Sequence, residues 1–207
     1  MSRVMELVRE LLAELELENE NECTCDREEN KGTLLSELNP GDLFNVPEIG
    51  KLKVLEQLPG GLTAVVQNDF YEEDVVFDEN TCDYIKSALR KKFDGEITEL
   101  YEKVFGEALV EREVALKSVD MQDYGTFKCK VRPILFDEAR DYNALLVNED
   151  LPDLYWTCTP WSTEERGWKY SVTVVAPSGR IFDDNCDCYF GVRPFCILKS
   201  NIFVSKE

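Results

Sequence analysis

Histidine is absent from this chain of 207 residues. That removes the commonest general base, the usual nitrogen ligand of zinc, and every Ser-His-Asp or Cys-His arrangement. Hydrolytic chemistry would have to run on carboxylates, a lysine, or a metal held by Cys and Asp. Positive charge is scarce as well: 23 Lys and Arg face 42 Asp and Glu, a net charge of −19. Nucleic-acid affinity comes largely from cations that displace counterions, so no nucleic-acid partner is expected. Solubility and mutual repulsion account for such acidity. Calcium binding is the alternative, but no D-x-D-x-D-G loop is present. No apolar run approaches the ~18 residues of a membrane span. The N-terminus is Glu-rich and lacks the apolar stretch of a signal peptide. Neither membrane insertion nor a secretory signal is expected.

What is present describes a globular protein. Apolar residues make up 43% and aromatics 11%, more than a disordered chain carries. Eight cysteines without a secretory signal read as reduced thiols. Residues 2–18 are predicted to be an amphipathic helix, with Val4, Val8, Leu11 and Leu15 along one stripe. Its stripe would pack on its own domain or on a partner, which makes residues 1–18 an oligomerisation or virion-docking element. Residues 19–38 read as a charged linker, and residues 39–207 as the compact domain.

Within that domain Pro40-Gly41 turns into a short strand, and KLKVLEQ and LTAVVQNDF form a hairpin around Pro59-Gly60-Gly61. Helices are predicted over Asn80–Phe93, Glu96–Phe105 and Phe136–Val147. Residues 111–119 read as a strand, and DMQDYGTF (120–127) as a loop. From Tyr155 onward the pattern is strand and turn. Hairpin, helices and then antiparallel strands make an α+β fold.

Three blocks near the C-terminus carry the functional reading: YWTCTPWS (155–162), SVTVVAPSGRIF (171–182) and GVRPFCIL (191–198). Trp156 reads as core. Trp161 and Trp168 flank a charged loop and read as partly exposed, with core packing as the alternative. Gly179 and Gly191 suit turns, Pro194 suits an edge or bulge, and Arg193 inside an apolar strand should be paired or stacked on an aromatic face. Between the last two blocks lies DDNCDCYF (183–190). It reads as a ligand-contacting loop, a plain surface turn or a metal site. Tyr and Phe would supply rigid contact area, and Asp and Asn adaptable hydrogen bonds. The pairs Cys23-x-Cys25 and Cys186-x-Cys188 do not have the spacing of a structural zinc knuckle, so no metal or cofactor is assigned. Cys82, Cys129, Cys158 and Cys196 read as small buried hydrophobes.

The ordered blocks GDLF, KLKVLEQ, LTAVV, CDYIKSALRKKF, YWTCTP, PSGRI and GVRPFCIL, over about residues 40–204, resemble a domain-of-unknown-function family of Gram-positive gut bacteria and their phages. That family is similar to the C-type-lectin-like fold of formylglycine-generating enzymes and of retroelement-diversified variable proteins. Thr157-Cys158 and the cysteines before Gly191 depart from the family's pattern. The resemblance implies a C-type-lectin-like domain with antiparallel strands and two to three helices. It also implies a non-enzymatic display module, phage- or prophage-encoded, sited on the virion or in the host cytoplasm. Its expected ligand is a protein or glycan on a host surface. The expected contact residues are Trp161, Trp168, Tyr170, Asp183, Asp184, Asn185, Asp187, Tyr189 and Phe190. The alternatives are a formylglycine-generating type of enzyme working through Cys158 or Cys196, and a purely structural capsid or tail decoration.

Overall fold

Antiparallel pairing organises the chain into an α+β architecture. The computed structural model describes residues 32–207; the predicted helix 2–18 and the linker up to residue 31 lie outside the described residues. In chain order the strands begin with β1 (Thr33–Leu34), β2 (Leu43–Val46), β3 (Gly50–Leu58), β4 (Leu62–Gln67) and β5 (Glu72–Val76). After the main helices come β6 (Arg112–Lys117), β7 (Asp123–Cys129) and β8 (Val131–Arg132). The C-terminal third supplies β9 (Tyr155–Pro160), β10 (Ser171–Val175), β11 (Ile181–Asn185), β12 (Tyr189–Val192), β13 (Phe195–Lys199) and β14 (Phe203–Lys206). Helices are short: α1 (Ala88–Lys92), α2 (Thr98–Phe105), α3 (Phe136–Asp141) and α4 (Asn143–Leu146).

A seven-stranded sheet runs β1-β14-β2-β3-β4-β13-β8, and a five-stranded sheet runs β11-β10-β9-β12-β5. β6 and β7 form a separate hairpin. The central strands are buried on both faces, and alternation sends their side chains to two cores. Val65, Trp156, Cys158, Val172, Val174, Cys196 and Leu198 enter one core, together with Leu89, Phe93, Ile97 and Tyr101 from the helical segment. Ala64, Val66, Tyr155, Val175, Phe195 and Ile197 point the other way, into a core closed by Ala139 and Leu146.

The predicted strand Val192–Leu198 is broken at Arg193-Pro194. There the chain leaves the five-stranded sheet and enters the seven-stranded one. Arg193 is 1% exposed. Its Nε donates to the Gln67 carbonyl at 3.0 Å and its Nη1 to the Leu146 carbonyl at 3.1 Å. The guanidinium lies 4.8 Å from the centroid of Tyr155, so the aromatic face it stacks on is a tyrosine. Gln67 continues the connection. Its amide donates to the Pro194 carbonyl at 2.8 Å, its side chain to the Ile49 carbonyl at 3.2 Å, and it accepts from the Tyr101 hydroxyl at 3.0 Å.

Several sequence expectations are corrected. The compact unit opens at Gly32, not residue 39, because β1 pairs with β14 and Leu35 and Leu38 are buried. Residues 80–83 are not helical. Thr81 and Asp83 bond to local amides, and Asp83 and Ser87 then cap a 3₁₀ turn and α1. The two predicted helices around Gly95 are joined through a wide turn over Phe93–Ile97. DYGTF is strand and not loop, since β7 pairs with β6 along its length and buries Phe127 and Cys129.

Gly191 has an ordinary backbone conformation, so steric room is the reason for it. A Cβ there would enter the Phe70 ring. Gly191→Ala is therefore expected to destabilise the protein by about 1–3 kcal/mol in urea unfolding. The Gly191→Ala/Phe70→Ala double variant should lose less than the sum of the two singles, because the clash is then removed.

Candidate ligand-binding surface

The connector between β11 and β12 was expected as an eight-residue loop, and it is mostly strand. Asp183, Asp184 and Asn185 pair in register with Thr173, Val172 and Ser171. Facing pairs share a side of the sheet, so Asp183 and Asn185 lie on one face and Asp184 on the other. Ser171 Oγ donates to Asp183 at 2.9 Å. Only the turn at Cys186–Cys188 remains as a loop before Tyr189 starts β12.

That turn is fastened from both sides. The Cys186 amide donates to the Tyr170 carbonyl at 2.6 Å, and its carbonyl accepts from Phe77 and Asp78 at 3.1 and 3.0 Å. The Cys186 side chain is fully buried, and burial with Asp187 beside it pushes the thiol up to about 12. Cys188 is half-buried and donates to Asp184 at 3.4 Å, with burial and that contact raising its pKa. Among the described residues no group of three Cys, Asp or Glu is placed to hold a metal ion.

Phe190 turns inward. Its ring meets Trp156 edge-on at 4.9 Å, and Trp156 also packs on Phe77 at 5.5 Å and donates to the Val75 carbonyl at 2.7 Å. Trp156 belongs to the scaffold, and Phe190, expected as a ligand contact, is half-buried on the core side of β12. Tyr189, one residue earlier, is 62% exposed.

The segment 161–170 adjoins the same turn through Tyr170. Trp161 is half-buried and lies 6.2 Å from Trp168, which is 42% exposed. Gly167 adopts φ 88°, a left-handed conformation that ends the 3₁₀ turn Glu164–Arg166. Lys169 pairs with Glu164 at 3.3 Å and sits 5.5 Å from the centroid of Tyr170. Sequence reasoning missed the wall beside this segment. The Cys82 amide donates to the Lys169 carbonyl at 3.0 Å, and the Tyr124 hydroxyl to the Ser162 carbonyl at 2.7 Å. Cys82, Asp83, Lys86, Asp123, Tyr124 and Glu165 are among the residues lining a polar cleft of about 310 Å³. The signal available in the sequence was weak, since Tyr124 lies in a segment that reads as loop.

Asp120 anchors the segment from below. It accepts from Ser118 at 2.5 Å and Ser162 at 2.7 Å and pairs with Arg166. The two hydroxyls, and then Arg166, hold its carboxyl at about 2.

Thus the structure brings Trp161, Tyr170 and Asn185 to the end of the sheet where β9 stops and β10 starts, and the Cys186 turn, bonded to Tyr170, leads from there to Tyr189 at the start of β12. It splits the acidic residues between two faces and withdraws Phe190. The thiols considered for chemistry lie elsewhere. Cys158 is fully buried and donates to the Pro133 carbonyl, and Cys196 is 2% exposed; burial raises both pKa values. No protein-family model, curated protein or solved structure matches this chain.

Because the folded state lowers the Asp120 pKa, its anchoring contribution is complete above the ordinary carboxylate pKa near 4 and is lost as pH falls toward 2. Tryptophan emission is therefore expected to be unchanged at pH 4 and altered near pH 2. Asp120→Asn should show a shift already at pH 7. An Asp120→Asn variant with wild-type emission throughout would show that the carboxylate does not order the segment.

Proposed function

We propose that this protein is a non-enzymatic binding module of C-type-lectin-like character, encoded by a phage or prophage and carried on the virion. Its ligand face is the sheet end formed by residues 161–170 and the connector. The observation that carries this reading is the set of exposed aromatics there. Trp168 is 42%, Tyr170 46% and Tyr189 62% exposed, on segments whose backbones are bonded to the sheet. Large rings held on a rigid scaffold lose little conformational entropy when a partner covers them, and they supply most of the energy of typical binding surfaces. The burial and raised pKa of Cys158 and Cys196 favour binding over thiol chemistry, since the thiolate is the reactive form. The N-terminal segment 2–18 would attach the module to the virion or to further copies, and the ligand would be a protein or glycan on the host surface.

The test is a Trp168→Ala/Tyr189→Ala double variant of the full chain, fluorescently labelled and titrated onto Gram-positive cells. Exposed positions should change stability by no more than about 0.5 kcal/mol. Cell binding is expected to fall about tenfold or more. Undiminished binding by the folded variant would remove this face from the function.

A further inference from the structure

The hairpin of β6 and β7 leaves one strand edge open, and that edge borders a groove. In an antiparallel pair alternate residues bond to the partner strand, and the others turn their N–H and C=O groups away from it. β6 pairs with β7 along its length, and among the described residues no backbone group of Arg112–Lys117 bonds to any other backbone. The chain is tied down just outside both ends of β6. Before it, the Val110 amide donates to the Ile197 carbonyl at 3.0 Å; after it, the Val119 amide donates to the Pro160 carbonyl at 3.1 Å.

Two cavities lie along that edge, one of about 300 Å³ and one of about 80 Å³. Residues 112–115 line the larger, and residues 115 and 117–119 the smaller. Side chains alternate across a strand, so a cavity against one face would meet every second residue. A cavity that meets four in succession lies against the edge. No residue of β7 lines either one, which places both on the open side of β6. Ala115 and Leu135 line both, so the two adjoin as one groove between β6 and the start of α3. Ala64, Phe195 and Ile197 make the wider part apolar. Arg132, 4.6 Å from the centroid of Phe195, is already paired with Glu138.

We propose that this groove takes an extended segment of a partner protein, added as a third strand to the β6–β7 hairpin through the open edge of β6. An extended peptide supplies the alternating N–H and C=O groups that such an edge lacks, and pockets beside the edge select its side chains. The wider cavity takes an apolar side chain over Phe195, because Arg132 and Glu138 neutralise each other there. A small side chain fits the narrower one. A second copy of this chain suits the edge poorly. Pairing about the middle of β6 would set Arg112 against Lys117, like charges facing each other, and would join two chains of net charge −19. None of the exposed aromatics Trp168, Tyr170 and Tyr189 lines the groove, so this inference stands apart from the display reading.

The probe is a displayed library of random heptapeptides selected on the full chain, with the enriched peptides synthesised and titrated by calorimetry. Ala115→Arg changes an exposed position and fills the groove. It should leave the unfolding midpoint unchanged and weaken the peptides about tenfold or more. Methylating alternate amide nitrogens of a peptide should divide by parity, because only every second amide faces the edge. One set should weaken binding about tenfold or more, and the other should be tolerated within about threefold. Bound peptide should protect β6 amides from hydrogen exchange and leave those of β11, an edge strand of the five-stranded sheet, as they were. The proposal is overturned by peptides that bind Ala115→Arg as well as wild type, that tolerate methylation of both sets, or that protect β11 instead. A library that yields no binder overturns it too. A wild-type dimer in sedimentation that Ala115→Arg makes monomeric would give the edge to a second copy and so contradict the partner reading.

Discussion

Arg193 is the constraint on which the rest of the fold depends. A guanidinium taken out of water costs several kcal/mol unless its donors are satisfied; here Nε and Nη1 reach main-chain carbonyls and the plane lies over a tyrosine face, while Nη2 is buried without a hydrogen-bond partner. Those acceptors come from different layers. Gln67 lies in the seven-stranded sheet, Leu146 ends α4, and Tyr155 belongs to the five-stranded sheet. Lys53 adds a second cation at the same helix end, donating to the Leu145 carbonyl at 3.1 Å. Cations at a helix C-terminus meet unsatisfied carbonyls and the negative end of the dipole, which orients α4 against both sheets. One side chain thereby fixes where the chain crosses from one sheet to the other.

The binding surface inherits its rigidity from that crossing. β12 enters the junction from the Cys186 turn, and its inward residues Phe190 and Val192 pack in the core with Trp156. The turn is in turn bonded to Tyr170 and to the end of β5. An aromatic at Tyr189 or Trp168 is therefore displayed from a fixed frame, although neither touches Arg193. The exposed rings are peripheral in space and dependent on the crossing for their position.

The sequence made some of this legible. Pro59-Gly60-Gly61 is local turn chemistry, so the β3–β4 hairpin needs no tertiary information. Arg193 in an apolar strand announces a guanidinium that is paired or stacked, though its tyrosine partner is 38 residues away in the chain. The acidic connector misled. Asp183, Asp184 and Asn185 look like loop residues, yet an edge strand tolerates charge because it borders solvent and charge discourages further pairing. Tyr124 and Phe127 were hidden for a related reason: Gly125 interrupts the pattern, and the pairing of β7 is supplied by β6. Asn80–Asp83 failed in the opposite sense, since apolar spacing suggested helix where side-chain caps hold turns. Long-range pairing and local capping decided each case, and neither is visible in periodicity.

The most direct test of the central claim is the unfolding free energy of Arg193→Met in the full chain, measured by urea titration beside Arg193→Lys. Methionine keeps much of the volume and removes the donors. Hydrogen bonds from charged groups contribute about 1.5–3 kcal/mol each, so losing two should destabilise the protein by about 3 kcal/mol or more. Lysine, with a charge but no planar fork, should recover only part of that. An Arg193→Met variant as stable as wild type would show that packing alone sets the crossing, and that the guanidinium is not what joins the two sheets.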